Sequence, residues 1–243
     1  MREDVGATFA ELDRTDTSMG ELVLRRRLDP SLLVDVYEVK LGDEFLMSSL
    51  FTVSEVALAD LALAAVGGEG LDVVVGGLGL GYTARAVLED PRVRSLRVVE
   101  ALGDVIAWHR DRLLPFATRL TTDRRCELVE ADFFSLIAQG APFAPHAPQR
   151  VHAVLVDIDH TPRHHLRPSH AELYEPSGLR RVAGRLRPGG VFALWSDDPP
   201  DPIFVDDVEQ VFASCDAHVV TFPNPNTDGE SASTVYVARL DGR

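Results

Sequence analysis

The stretch LDVVVGGLGLGYTARAVLEDPRVRSLRVVE, residues 71–100, decides the fold. Leu71 to Val75 is an apolar run of strand length, and Gly76, Gly77, Gly79 and Gly81 follow it directly. A helical pattern begins at Tyr82, so strand, glycine turn and helix come in the order that a nucleotide-binding turn requires. Missing side chains let the backbone approach a ligand, and free N–H groups at a helix start favour its polar or anionic groups. A plain tight turn would use the same residues. The next strand, Leu96 to Glu100, ends in a carboxylate nineteen residues after Gly81. At a strand tip such a group can accept hydrogen bonds from both hydroxyls of a ribose.

Working outward, further apolar runs at Cys126–Ala131, Val151–Asp157 and Val191–Trp195 alternate with helical patterns. The helices are expected at Thr83–Leu88, Asp104–Leu113, Ser177–Leu186 and Asp206–Cys215. Such alternation predicts βαβ units and a mostly parallel sheet with helices on both faces. His218–Thr221 and Thr234–Arg239 are expected to close it as an antiparallel pair. Gly140–Gln149 and Pro223–Ser233 read as surface loops, and Arg185–Gly190 as a helix end and turn. Upstream, Glu21–Leu50 holds short Leu-, Val- and Tyr-rich segments broken by Asp29-Pro30 and Gly42-Asp43, the pattern of a small β-rich lobe. Thr52 to Glu55 then reads as the start of a helix running to Val66. The division expected is a lobe over residues 1–50 and a nucleoside-binding α/β domain over residues 51–243.

The third core strand runs into Glu130-Ala131-Asp132-Phe133, placing a carboxylate and an aromatic ring at the same sheet edge, where they can grip an adenine. Asp132 is equally suited to cap the helix after it. The fourth strand ends at Asp157, and Trp195 follows the fifth at the edge where open α/β sheets bind ligands. Asp104 is expected to cap its helix, and Trp108 to be core. Asp157, Asp159, His160, His164, His165 and His170 gather possible metal ligands in one region. Their spacing matches no common zinc pattern and includes no Cys, so no metal is expected.

Lys and Arg number 24 against 38 Asp and Glu, a formal charge of −14. That field repels nucleic acid and attracts cations such as polyamines. Cys126 and Cys215 lie far apart in apolar surroundings and are read as thiols of a reducing cytoplasm. The stretch Met1–Arg14 lacks the apolar core of a leader, and Val56–Val66 is too short to span a bilayer.

The residues VVVGGLGLGYTARAVLEDPRVRSLRVVE (73–100), EADFF (130–134) and VHAVLVDIDHTP (151–162) resemble the spermidine synthase family, over about Glu21 to Arg239. The resemblance implies a Rossmann-like class I methyltransferase fold behind a small N-terminal β lobe, and a homodimer. It implies S-adenosylmethionine, or its decarboxylated form, as donor at Gly76, Gly77, Gly79 and Gly81, with its ribose on Glu100 and its adenine near Asp132 and Phe133. Asp157 matches the family's acid that orients and deprotonates the attacking amine, with Asp159 an approximate match to a second loop acid. Glu55, His160 and Trp195 are the expected acceptor contacts. Where the family commonly reads GGGDGG this chain reads GGLGLG, with Gly79 in the register of the acid. Its Tyr-His-Glu falls on Val53-Ser54-Glu55. The expected function is aminopropyl or related alkyl transfer to a small amine. Methyl transfer from intact S-adenosylmethionine to a small molecule, and a non-catalytic nucleoside-binding or assembly role, are the alternatives.

Overall fold

The computed structural model describes residues 9–224, 227 and 229–242. Residues 1–8, part of the acidic N-terminal stretch, lie outside them. Four antiparallel strands come first, β1 (Phe9–Thr17), β2 (Gly20–Asp29), β3 (Val34–Leu41) and β4 (Glu44–Ser48), in that order across the sheet. The sheet begins earlier than the apolar pattern foretold, because β1, FAELDRTDT, has no fully buried residue. In β2 and β3 the period of two turns Leu22, Leu24, Val39 and Leu41 inward. Leu22 pairs with Leu41 and Leu24 with Val39, and all four join the main core.

Helix α1 (Val53–Ala65) leads into the second sheet. Thr52 stands at its N-cap, but the hydroxyl makes no capping bond. The second sheet comprises β5 (Leu71–Gly76), β6 (Val93–Glu100), β7 (Cys126–Glu130), β8 (Val151–Val156), β9 (Leu186–Ser196), β10 (Ser214–Asn224) and β11 (Gly229–Arg239). Their spatial order is β10-β11-β9-β8-β5-β6-β7. The pairs from β9 to β7 are parallel, and β11 and β10 are antiparallel to their neighbours. All of β5 is buried, as a central parallel strand covered on both faces must be. Burial of each of Val73, Val74 and Val75 contributes about 1.5–3 kcal/mol.

Helices α2 (Tyr82–Glu89), α3 (Gly103–Arg110), α4 (Ala117–Thr122), α5 (Phe133–Gln139), α6 (Pro176–Gly184) and α7 (Pro202–Glu209) connect the strands, with a 3-10 turn at Pro168–Tyr174. Several expected boundaries are corrected. Helix α7 starts at Pro202, since Asp201 accepts from the Ile203 and Phe204 N–H groups, and Cys215 falls in β10 rather than in the helix. Leu186 to Gly190 belongs to β9, where a register shift against β8 absorbs the proline and glycines as a bulge. Strands β10 and β11 run on through Pro223 and Ser233, pairing as far as Asn224 and Gly229, so little of that loop remains. Pro225, Asn226 and Asp228 of it lie outside the described residues. Asp104 sits inside the first turn of α3, whose cap is Leu102, and makes no capping bond.

Trp108 of α3 is 1% exposed, and its indole N–H donates to Asp13 Oδ2 of β1 at 2.6 Å, tying this helix to the N-terminal sheet by a part-buried polar contact. Between β8 and β5 the chain order reverses, with β6 and β7 on one side and β9 on the other. Ligands of open α/β sheets bind at such a point, beyond the carboxyl ends of the strands. Among the described residues no helix is long and apolar enough to cross a membrane.

Candidate active site

A cleft opens at this point, between the carboxyl ends of β5 to β8 and the inner face of the N-terminal sheet. The strand ends build its floor. After β5 the chain turns through Gly77 (φ +94°), Gly79 (φ +46°) and Gly81 (φ +89°), conformations that L side chains rarely adopt. Packing is as demanding. A Cβ on Gly77 would collide with the Asp157 carbonyl, one on Gly79 with Met47 Sδ, and one on Gly76 with the Phe133 ring at 2.9 Å. The turn is thus the surface on which Asp157, Phe133 and the N-terminal sheet converge.

Glu100 at the tip of β6 touches the turn directly. Its Oε2 accepts from the Leu78 N–H at 3.0 Å and its Oε1 from the Leu102 N–H at 2.9 Å. Burial pushes its pKa up, against these backbone bonds, which hold it down. The Ala101 and Gly79 N–H groups act on it as well, and the carboxylate lines the cleft.

Asp157 follows β8, and its own N–H donates to the Gly76 carbonyl at 2.9 Å. The Thr83 hydroxyl, from the first turn of α2, donates to Asp157 Oδ2 at 2.6 Å. Glu55, 7% exposed in the first turn of α1, lies within electrostatic range and accepts from the Ser54 hydroxyl at 3.0 Å. Burial raises the Glu55 pKa, and the Asp157 charge raises it further. Burial also raises Asp157, with the Thr83 bond opposing. Two desolvated carboxylates within electrostatic range hold a proton well above the ordinary carboxylate range. An ammonium placed between them would release it.

Asp132 also lines the cleft, and its Oδ1 accepts from the Ser135 N–H at 3.1 Å, so the helix cap weighed from the sequence is present. Phe133 is 2% exposed and packs into the second core cluster beside Phe143. Phe134, not singled out from the sequence, offers more aromatic surface and stacks on His170 with ring centroids 3.6 Å apart. His160 and Trp195 line the cleft, His160 with its Nε2 3.3 Å from Glu44 Oε2. The indole nitrogen of Trp195 is buried with no partner among the described residues.

Of the sequence-derived candidates, Gly76 and Gly81 do not line the cleft, being packed against Phe133 and against Leu120 and His109, and neither does Asp159. It is 1% exposed; its Oδ1 bonds to the Leu166 N–H and to His170 Nδ1, and its Oδ2 accepts from the Tyr174 hydroxyl, all at 2.8 Å. It braces the loop after β8. The Tyr174 phenol is pushed well above its ordinary pKa by burial and by this carboxylate. Of the histidines of the same region, His165 bonds to the Pro162 carbonyl and stacks on Tyr174, and His160, at Glu44, stacks on His164 with ring centroids 4.9 Å apart. Among the described residues no group of three or more His, Cys, Asp or Glu side chains is placed to hold a metal ion.

Two supports had no local signature in the sequence. Met47 of β4 reaches the glycine turn, where its sulfur accepts from the Leu80 N–H at 3.2 Å and fills the space beside Gly79. His109 of α3 is fully buried with Nε2 2.9 Å from the Gly79 carbonyl, and burial lowers its pKa, favouring the neutral ring.

No protein-family model matches the chain. Solved structures resemble it over nearly its whole length. A spermidine synthase from Thermotoga maritima matches with a TM-score of 0.73 at 17% identity, over 96% of this chain and 74% of that one. A spermidine synthase in complex with the transition state analogue AdoDATO matches at 0.71 and 16%, over 96% and 73%. A probable spermidine synthase from Corynebacterium glutamicum matches at 0.62 and 13%, over 95% and 79%. The four-stranded N-terminal sheet and the seven-stranded, mostly parallel sheet behind it thus form a methyltransferase-like fold similar to that of the spermidine synthases.

Proposed function

We propose that this chain is a transferase that moves an aminopropyl or related alkyl group from a decarboxylated S-adenosylmethionine-type donor to a small amine. The observation that carries the proposal is the Glu55–Asp157 pair beside the glycine turn. A decarboxylated donor and an amine are both cationic, and a desolvated acid pair attracts them. A donor that kept its carboxylate would bring a third negative charge to the same place. Among the described residues lining the cleft, Arg167 is the only Lys or Arg.

In this reading residues 51–243 hold the donor and residues 1–50 cover the acceptor. Gly76, Gly77, Gly79 and Gly81 let the donor lie against the turn, Glu100 clasps the ribose diol, and Asp132, Phe133 and Phe134 border the adenine. The acceptor amine lies between Glu55 and Asp157, with His160 and Trp195 as further walls. Its lone pair attacks the carbon next to the sulfonium as the C–S bond breaks. The bonding pair leaves on sulfur, giving methylthioadenosine as a neutral thioether, and the proton lost from nitrogen passes to Asp157. Most of the acceleration comes from holding nitrogen, carbon and sulfur in line. Proton removal by a placed base contributes further.

Methyl transfer from intact S-adenosylmethionine is the second reading. It is favoured by Gly79, where Met47 sulfur stands in place of an acid for a donor amine. Calorimetric titration with S-adenosylmethionine, its decarboxylated form and methylthioadenosine separates the two. Preference for the carboxylated donor moves the assignment to methyl transfer, and binding of none of the three defeats both. Asp157→Asn is expected to lower kcat by about 100-fold or more while leaving methylthioadenosine affinity nearly unchanged. Donor binding without turnover in the wild-type protein would mark a nucleoside-binding subunit instead. The proposed form in solution is a cytoplasmic homodimer, which light scattering on the purified protein tests for its oligomeric part.

A further inference from the structure

Among the described residues, the N-terminal sheet and its turns lend five to the cleft, Met19, Val39, Leu41, Leu46 and Met47, and every one is apolar. Asp43 and Glu44, on the same hairpin as Leu46, do not line it, and Glu44 is turned to His160. Of the four carboxylates that do, Glu100 is bonded to the glycine turn and Asp132 caps α5. Among the described residues of the lining, Glu55 and Asp157 are left to receive an acceptor, each within electrostatic range of the other; Asp197, which also acts on Glu55, is exposed and outside the lining. The cleft therefore offers one ammonium site, with a wall of methionine, leucine and valine facing it.

Resting on the function proposed above, we infer that the acceptor is a monoamine with an apolar tail rather than a diamine. One ammonium docks between Glu55 and Asp157, and the tail runs along Leu46, Met47 and Leu41. A second ammonium at the far end of a diamine would face this wall with no counter-charge, and an unpaired buried charge is costly. A hydrocarbon tail gains instead, by about fourfold in Kd for each methylene buried. Met47 is central, because its sulfur fills the space beside Gly79 and accepts from the Leu80 N–H, so the turn presents no counter-charge next to this wall.

The test is calorimetric titration of the protein saturated with methylthioadenosine, at about pH 8 and ~0.15 M salt, which screens the overall negative field. n-Butylamine is compared with putrescine, and n-hexylamine with 1,6-diaminohexane. Each monoamine is expected to bind at least about tenfold more tightly than the diamine of equal length, since leaving one charge unpaired costs at least that much. Affinity should also rise from butyl to hexyl. Leu46→Glu, which adds a carboxylate to the wall, should move the preference towards the diamine. Equal or tighter diamine binding, no amine binding beside bound methylthioadenosine, or an unchanged preference in a folded Leu46→Glu variant overturns the inference and leaves the donor site standing. Failure of methylthioadenosine, S-adenosylmethionine and its decarboxylated form alike to bind removes the proposed function, and the inference falls with it.

Discussion

Glu55→Gln tests the acid pair without any ligand. In the folded protein the Glu55 carboxyl is pushed from its ordinary 4.5 to about 8 by burial and by Asp157. The folded chain therefore keeps a proton that the unfolded chain has released, over the window from 4.5 to about 8. Stability from this group is complete below that window and is lost as pH rises through it. At roughly 1.4 kcal/mol per tenfold change in proton affinity, the loss approaches about 5 kcal/mol as an upper bound for Glu55 alone. Shared titration with Asp157 and relaxation of the cleft reduce the expected figure to about 2–4 kcal/mol. For a chain of this size that is a midpoint shift of the order of 10 °C. Glutamine has nearly the same shape, can accept the Ser54 hydroxyl bond, and does not titrate. Scanning calorimetry of both proteins from pH 5 to pH 9 should give similar midpoints at the acid end. At the alkaline end the variant should unfold well above the wild type. The rest of the surface charge affects both proteins alike and cancels in the difference. Parallel profiles across the range would show that Glu55 does not hold its proton, and the argument for an ammonium site between the two acids would lose its basis.

Two further substitutions probe the floor and the loop of the cleft. Glu100→Gln places an N–H donor where both carboxylate oxygens now accept backbone bonds, so it should weaken methylthioadenosine binding by about 10- to 100-fold, the range for losing charge-assisted hydrogen bonds; unchanged affinity in a titration would detach Glu100 from the ribose. Asp159→Asn removes acceptor capacity from a buried site with three donors, so urea unfolding should show a loss of about 2–4 kcal/mol, with methylthioadenosine affinity kept in the folded fraction. A stable Asp159→Asn protein that had lost only turnover would return Asp159 to the chemistry.

What could be read from the sequence follows physical lines. Strand β5 was legible because a central parallel strand is apolar throughout, and the glycines directly after it mark a tight turn. Glu100 was legible because it stands one strand along at a fixed interval. Helix α4 was missed because ATRLTT has too few apolar positions to show a period. The start of the N-terminal sheet was missed because β1 presents half-buried Glu, Asp and Thr instead of an apolar alternation. Asp157 and Asp159 look equivalent in sequence, yet one meets the glycine turn while the other turns into the loop, towards Tyr174 and His170. Contacts such as Met47 with Leu80 and Thr83 with Asp157 join segments 33 and 74 residues apart, and no local pattern encodes them.

Trp108 and His109 are consecutive on α3. One is fastened to Asp13 of the first strand, and the other sits against the carbonyl of Gly79. A single turn of helix is therefore a shared axle for the N-terminal sheet and the glycine turn, and neither can swing without loading the other. Because the chain has only two tryptophans and the second, Trp195, lies in the cleft, fluorescence of a Trp195→Phe protein would record strain at that axle alone.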